Sequence, residues 1–173
     1  MVINAYFPTD RLDVNYGGSS GFGRKYIERL STKWGIVDVA DFILATHLLS
    51  AEPYNLIDPK RLTIRGGSSG GFTTLACISN AQDVKVFAVA TSLYGICDLE
   101  KLAEFTHKFE SRYLDHLIGG TVEEIPEVYK ERSPINHADN IVVPLLVRCL
   151  LGLWELLQIC LKSTSFYSPA FAR

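Results

Sequence analysis

A serine with glycine two residues away on either side, Gly66-Gly67-Ser68-Ser69-Gly70, can act as a nucleophile in acyl transfer when the chain around it makes a sharp strand-to-helix turn. The flanking glycines suit such a turn because any side chain there would collide with neighbouring backbone. The turn lifts Ser68 Oγ above the sheet. It also sets the Ser69 backbone N–H at the start of the next helix, where it can donate to an oxyanion. The same spacing occurs again at Gly17, Ser19 and Gly21, so context must separate the two copies. Alternating Leu62-Thr63-Ile64-Arg65 enters Ser68, and Gly71, Thr74, Leu75, Ala76 and Ile78 leave it, small or apolar residues suited to a helix pressed on a sheet. Arg24, Lys25 and Tyr26 follow Ser19 and are too bulky and polar for that packing. Ser68 is therefore the expected nucleophile, and the run around Ser19 a loop. Neither run ends in the Lys-Ser/Thr of a phosphate-binding loop or has Gly-x-Gly-x-x-Gly spacing.

The elements that must position Ser68 follow from the hydrophobic pattern. Residues 12–16 read as a short strand, and Val39, Phe42, Ile43 and Leu49 recur at helical spacing after Ile36. Asp38 and Asp41 near the start of that helix favour its dipole. Asp58-Pro59-Lys60-Arg61 is a turn ahead of the strand that leads to Ser68. Residues 84–94 are nearly continuous and apolar, the pattern of a strand buried on both faces. Asp98 then caps a helix whose Leu102, Phe105, Phe109, Tyr113 and Leu117 keep helical spacing as far as Gly119-Gly120. A shorter helix is expected over 123–131 and a strand over 142–147. Strands alternating with helices predict a doubly wound α/β architecture.

Composition narrows the function classes. With 173 residues and 47% hydrophobic content the chain can build one sizeable core. A formal charge of −2 gives no basic excess, so no nucleic-acid partner is expected. The four cysteines, Cys77, Cys97, Cys149 and Cys160, form no Cys-x-x-Cys pair, which argues for reduced, buried thiols in a cytoplasmic protein and against a metal site. No secretory signal pattern opens the chain. Residues 145–161 are almost unbroken apolar sequence. Arg148 and Glu155 would nevertheless be costly inside a bilayer that needs ~20 apolar residues, so no stable membrane span is expected.

Several blocks, in order, carry a family resemblance. They are Asp13-Val14-Asn15-Tyr16-Gly17-Gly18-Ser19-Ser20-Gly21-Phe22-Gly23-Arg24, Trp34-Gly35-Ile36-Val37-Asp38-Val39-Ala40-Asp41, Asp58-Pro59-Lys60-Arg61-Leu62, Gly66 to Phe72, Tyr94-Gly95, Asp98-Leu99, His107 to Tyr113, Arg132-Ser133-Pro134 and Pro144-Leu145-Leu146. Together they resemble the catalytic domain of the prolyl oligopeptidase family of serine peptidases, notably its acylaminoacyl-peptidase and dipeptidyl-peptidase-like members. The resemblance implies an incomplete α/β-hydrolase fold over 1–146, a mostly parallel sheet with helices on both faces, and a non-family apolar tail over 147–173. It implies a serine-type peptidase acting on short peptides or acylated amino acids through an acyl-enzyme at Ser68, with Ser69 N–H as an oxyanion donor and no cofactor.

Where the family continues into segments bearing a catalytic aspartate and histidine, residues from Val147 onward do not follow its pattern. Its second oxyanion donor and gating β-propeller belong upstream of the strand where the match starts. The expectation is a truncated domain, inactive or impaired as it stands. The alternative is a non-catalytic pseudo-enzyme that associates with a full-length relative. His137, in the loop before the last strand, and Asp98, after the strand that follows the elbow, are the substitutes to consider for the missing base and acid. His107 reads as a structural helix residue, and Asp98 competes with its own role as a helix cap.

Overall fold

The computed structural model describes residues 4–6, 11–81, 83–105 and 108–148 of the 173. Five strands, β1 (Asn4–Tyr6), β2 (Arg11–Asp13), β3 (Thr63–Gly67), β4 (Val89–Leu93) and β5 (Leu145–Arg148), form one sheet in the order β2-β1-β3-β4-β5. β1 runs antiparallel to β2 and β3. The other pairs are parallel, with Ile64 beside Ala90 and Ala90 beside Leu145. The helices are α1 (Arg24–Ile27), α2 (Val37–Ser50), α3 (Ser69–Ser79), α4 (Leu99–Phe105), α5 (Lys108–Ile118) and α6 (Pro126–Arg132). Pro59–Arg61 and Pro134–Asn140 are 3-10 turns, the first capped by Asp58, whose Oδ1 accepts from Lys60 N–H at 2.9 Å.

α3 is the centre of this arrangement. All its residues from Gly70 to Ser79 are buried, between β3 and β4 on one side and α2 and the 134–140 turn on the others. A helix enclosed in this way needs small residues where it meets strands and partners for its hydroxyls, which Thr73 and Ser79 have and Thr74 Oγ1 lacks among the described residues. Ser79 Oγ donates to Leu75 O at 2.9 Å, and Ser92 Oγ on β4 reaches Gly71 O at 3.3 Å. Ile64 and Ala90 face α3 and are buried. The other face of the sheet carries exposed Arg65, Val89 and Leu146 among the described residues.

Several elements differ from the sequence expectation, beginning with β1, which no pattern in the sequence announced. The strand expected over 12–16 is confined to Arg11–Asp13, after which the chain leaves the sheet. The run 84–94 yields a strand only from Val89. Val86 and Phe87 are buried in the preceding turn, so their apolar character serves the core rather than the sheet, and Ala88 N–H joins Leu62 O at 2.7 Å to start the pairing. Of the helix expected up to Gly119, the described residues form α4 and α5, with 106 and 107 between them outside the described residues, and Phe105 is exposed. The tail over 149–173 lies outside the described residues.

α3 lies against the strand it follows with no room for a side chain at Gly66. A Cβ on Gly66 would collide with the Gly70 carbonyl, which is backbone and has no way to yield. Gly66→Ala is therefore expected to lower unfolding stability by about 3 kcal/mol. A denaturant titration followed by fluorescence measures this, and a loss under about 1 kcal/mol contradicts the packing described.

Candidate active site

Ser68 lies between β3 and α3 with φ 53° and ψ −122°, a left-handed backbone that a serine rarely adopts. Its N–H donates to Leu93 O at 3.0 Å, continuing the β3–β4 pairing one residue past the strand, and its carbonyl accepts from Phe72 N–H at 3.1 Å, starting the helix. One residue thus closes the sheet and opens the helix, and the bend falls on its own φ. Its side chain is exposed. The strain persists because both flanks are over-determined by packing. The Gly66–Gly70 approach fixes one side. On the other, a Cβ at Gly71 would stand 2.5 Å from Gly95 Cα. Ser69 N–H belongs to the first turn of α3, where helical N–H groups have no carbonyl upstream to bond within the helix and the helix dipole is positive.

The Ser19 copy has no such geometry. Gly18, Gly21 and Gly23 take the positive φ there. The loop is tied down by Gly17 N–H donating to Asp41 Oδ2 at 2.6 Å and Ser19 N–H donating to Tyr16 O at 2.9 Å. Its function in the structure is to bring Tyr16 and Leu30 up beside Ser68.

A cleft of about 340 Å³ opens at Ser68 and Ser69, with Tyr16, Leu30, Trp34, Ile96, Leu102, Tyr113, Leu114 and Leu117 as its remaining lining. It is apolar and aromatic except at the serine end, the character of a pocket that takes a hydrophobic group and orients it by a few polar atoms. Burial raises the Tyr16 phenol above its usual pKa, with the charges of Asp38 and Tyr113 adding to the effect, so it stays a neutral wall. Sequence reasoning missed most of this cleft. Leu102, Tyr113 and Leu117 carried a signal, helical spacing, but that signal reads equally as a core-facing stripe.

Asp38 holds the cleft's Trp34 wall to the elbow helix. It is fully buried, with Oδ1 accepting from Gly35 N–H at 2.7 Å and Oδ2 from Thr73 Oγ1 at 2.6 Å. Trp34 packs on Phe72 of α3 with ring centroids 4.4 Å apart. Burial pushes the Asp38 carboxyl above its ordinary 3.8, and the bonds from Thr73 and Gly35 pull the other way. This residue was expected only to favour a helix dipole.

The structure places the remaining candidates away from the cleft lining. Asp98 Oδ1 accepts from Lys101 N–H at 3.1 Å, the bond of a helix cap, at the start of α4. His137 Nε2 donates to Glu131 O at 2.7 Å, and the same carbonyl accepts from Asn80 Nδ2 at 3.0 Å. Asn80 follows the last residue of α3, and Ser68 precedes the first. Eleven residues of helix separate the two ends by about 16 Å, so His137 is not brought to Ser68. His47 pairs with Asp83 at 3.5 Å, and His116 is exposed on α5. His107 lies outside the described residues. Among the described residues no group of three His, Cys, Asp or Glu side chains could hold a metal ion.

Comparison with known proteins adds the family context. Residues 11–149 match the prolyl oligopeptidase family. The acylamino-acid-releasing enzyme of Arabidopsis thaliana is 33% identical over 154 residues, covering 84% of this chain and 19% of that protein. The uncharacterized peptidase YuxL of Bacillus subtilis is 29% identical over 157 residues, covering 86% of this chain and 23% of that protein. Among solved structures, a puromycin-hydrolyzing peptidase of Mycobacterium tuberculosis superposes with a TM-score of 0.79 at 45% identity, over 88% of this chain and 23% of that one. A puromycin hydrolase does so with a TM-score of 0.76 at 41% identity, over 89% and 23%. The chain thus spans about a fifth of the length of the curated relatives it matches.

The buried Asp38 predicts a pH signature. Its folded pKa is raised, so the unfolded chain releases this proton first as pH rises. The group's contribution to stability is full below its ordinary value and is lost as pH climbs through the folded one. Asp38→Asn has no such titration. The melting temperature of the wild type relative to Asp38→Asn is expected to fall as pH is raised over the range above about 4, the ordinary carboxylate value. A difference constant over that range contradicts it.

Proposed function

Because the chain belongs to the prolyl oligopeptidase family, we propose that Ser68 is the nucleophile of a serine peptidase site and that the adjoining cleft receives an apolar side chain of a short peptide or acylated amino acid. The observation that carries this reading is the left-handed backbone of Ser68 at the mouth of the cleft. In such a site a base takes the Ser68 hydroxyl proton as Oγ attacks the scissile carbonyl carbon, and the carbonyl oxygen becomes an oxyanion that accepts from Ser69 N–H. As this intermediate collapses the base passes that proton to the leaving amine, an ester remains on Ser68, and water then hydrolyses the ester to a carboxylic acid and restores the serine hydroxyl. A substrate side chain seated between Trp34 and α5 sets the carbonyl over Ser68, which is how a binding contact far from the bond becomes rate. The buried thiol of Cys77, raised well above its usual pKa by burial, supports a reducing compartment such as the cytoplasm.

The hydroxyl needs a base before it can attack, and no histidine is among the described residues that line the cleft. Without serine or histidine a serine protease loses about a million-fold in turnover. The 173 residues by themselves are accordingly proposed to be inactive or impaired as a peptidase, with binding in the cleft retained. A second reading, docking onto a longer relative, is favoured by exposed Val89 and Leu146 on the sheet face that no described helix covers. Size-exclusion chromatography separates the two, since a lone monomer in the presence of a longer relative excludes docking.

The direct test incubates the purified chain and its Ser68→Ala variant with a chromogenic aminoacyl amide and with a fluorophosphonate probe. Equal, background-level turnover and labelling are expected. Cleavage and labelling in the wild type that both vanish in the variant would show a working base within these residues and overturn the inactivity proposed.

A further inference from the structure

Arg132 is the first residue of the Arg132-Ser133-Pro134 run and the last of α6, and it does not line the cleft. Its guanidinium nevertheless joins two of the cleft's walls. Nη1 donates to Thr32 O at 3.0 Å, Trp34 O at 3.3 Å and Ile118 O at 3.2 Å. The first two carbonyls flank Lys33 in the loop that carries Leu30 and Trp34. The third ends α5, the helix that carries Tyr113, Leu114 and Leu117. Loop and helix also meet directly, through Thr32 N–H to His116 O at 2.9 Å and Trp34 N–H to Leu117 O at 3.2 Å.

This joint needs an external donor for two physical reasons. The last carbonyls of a helix have no N–H of their own helix to accept from, and a cation placed there also offsets the negative end of the helix dipole. The loop holds one residue in an unfavourable backbone, Thr32 with φ 61°, and turns again at Gly35, whose φ of 83° only glycine takes without strain. Asp38 secures the loop from the α3 side through Gly35 N–H, and Arg132 secures it from the α5 side. The bonds are charge-assisted, which makes them stronger than neutral ones, and those to Trp34 O and Ile118 O are part-buried while that to Thr32 O is exposed.

We propose that Arg132 is a positioning residue for substrate: by fixing the Trp34 loop against the end of α5 it sets the width of the cleft and hence the affinity for the apolar side chain bound there. This rests on the cleft being the substrate pocket. Removing the clasp leaves the walls free to separate, and the apparent affinity falls by the fraction of molecules whose cleft remains assembled.

The test needs no catalysis. The chain has two tryptophans, Trp34 and Trp154, so Trp154→Phe leaves Trp34 as the single reporter on the cleft wall. N-acetyl-phenylalaninamide is titrated into this protein and into its Arg132→Met, Arg132→Lys and Lys130→Met derivatives, well below the melting midpoint of each. Arg132→Met is expected to raise the dissociation constant about tenfold. Arg132→Lys, which keeps a cation with three donors but is easier to fold, is expected to raise it about threefold. Lys130→Met, on the same helix and exposed, is expected to leave it unchanged. A purely structural role would lower the melting temperature of Arg132→Met without moving affinity in the folded protein. Affinity unchanged in the folded Arg132 variants overturns the inference alone. No response to the ligand in the parent protein overturns the cleft reading and the inference with it.

Discussion

The contact between the first turn of α3 and the ends of β3 and β4 is the constraint on which the rest depends. Gly66 against the Gly70 carbonyl, and Gly71 against Gly95, let backbone lie on backbone at distances no side chain permits. With the helix this close, the chain has one residue in which to turn from strand to helix, and Ser68 takes the positive φ. The cost of that conformation, of order 1–3 kcal/mol, is offset by the burial of α3 from Gly70 to Ser79. Strain at Ser68 and burial of α3 are thus two aspects of one packing arrangement, and loosening the helix would relax the serine.

The cleft is built outward from the same helix. Phe72 supports Trp34, Thr73 donates to Asp38, and Asp38 accepts from Gly35, so the loop following Trp34 is tied to the two residues of α3 nearest its first turn. The opposite wall, α5, enters the core through buried Leu114, Leu117 and Ile118, and its C-terminal end is joined to the Trp34 loop by backbone bonds and by Arg132. This arrangement, with a tightly packed elbow, a tied loop and a clasped outer helix, puts the most constrained backbone at Ser68.

Much of this was legible in the sequence wherever the signal was local. The elbow could be read because strand, glycines, serine and small-residue helix are contiguous, and the Ser19 copy could be set aside because Arg24, Lys25 and Tyr26 follow it. Asp38 could not be read, since its partner Thr73 lies 35 residues on and nothing in either neighbourhood announces the bond. The 84–94 run misled because burial, not strand pairing, keeps Val86 and Phe87 apolar. The cleft could not be read from the helical spacing of Tyr113 and Leu117, because a cleft wall and a core face demand the same residues, and Leu117 is in both. Arg132 stood out only as part of a recurring block, and its three carbonyl partners come from elements 14 to 100 residues away.

The central claim is that packing makes Ser68, and not Ser19, the serine poised for acyl chemistry. It is tested most directly by grafting residues 11–148 in place of the matching segment of a longer relative, labelling the folded chimera with a fluorophosphonate and mapping the adduct. Trypsin separates the two copies, releasing residues 12–24 with Ser19 and residues 66–85 with Ser68. The account predicts the adduct on the 66–85 peptide, at Ser68. An adduct on the 12–24 peptide, or a folded chimera that takes no label, would contradict it.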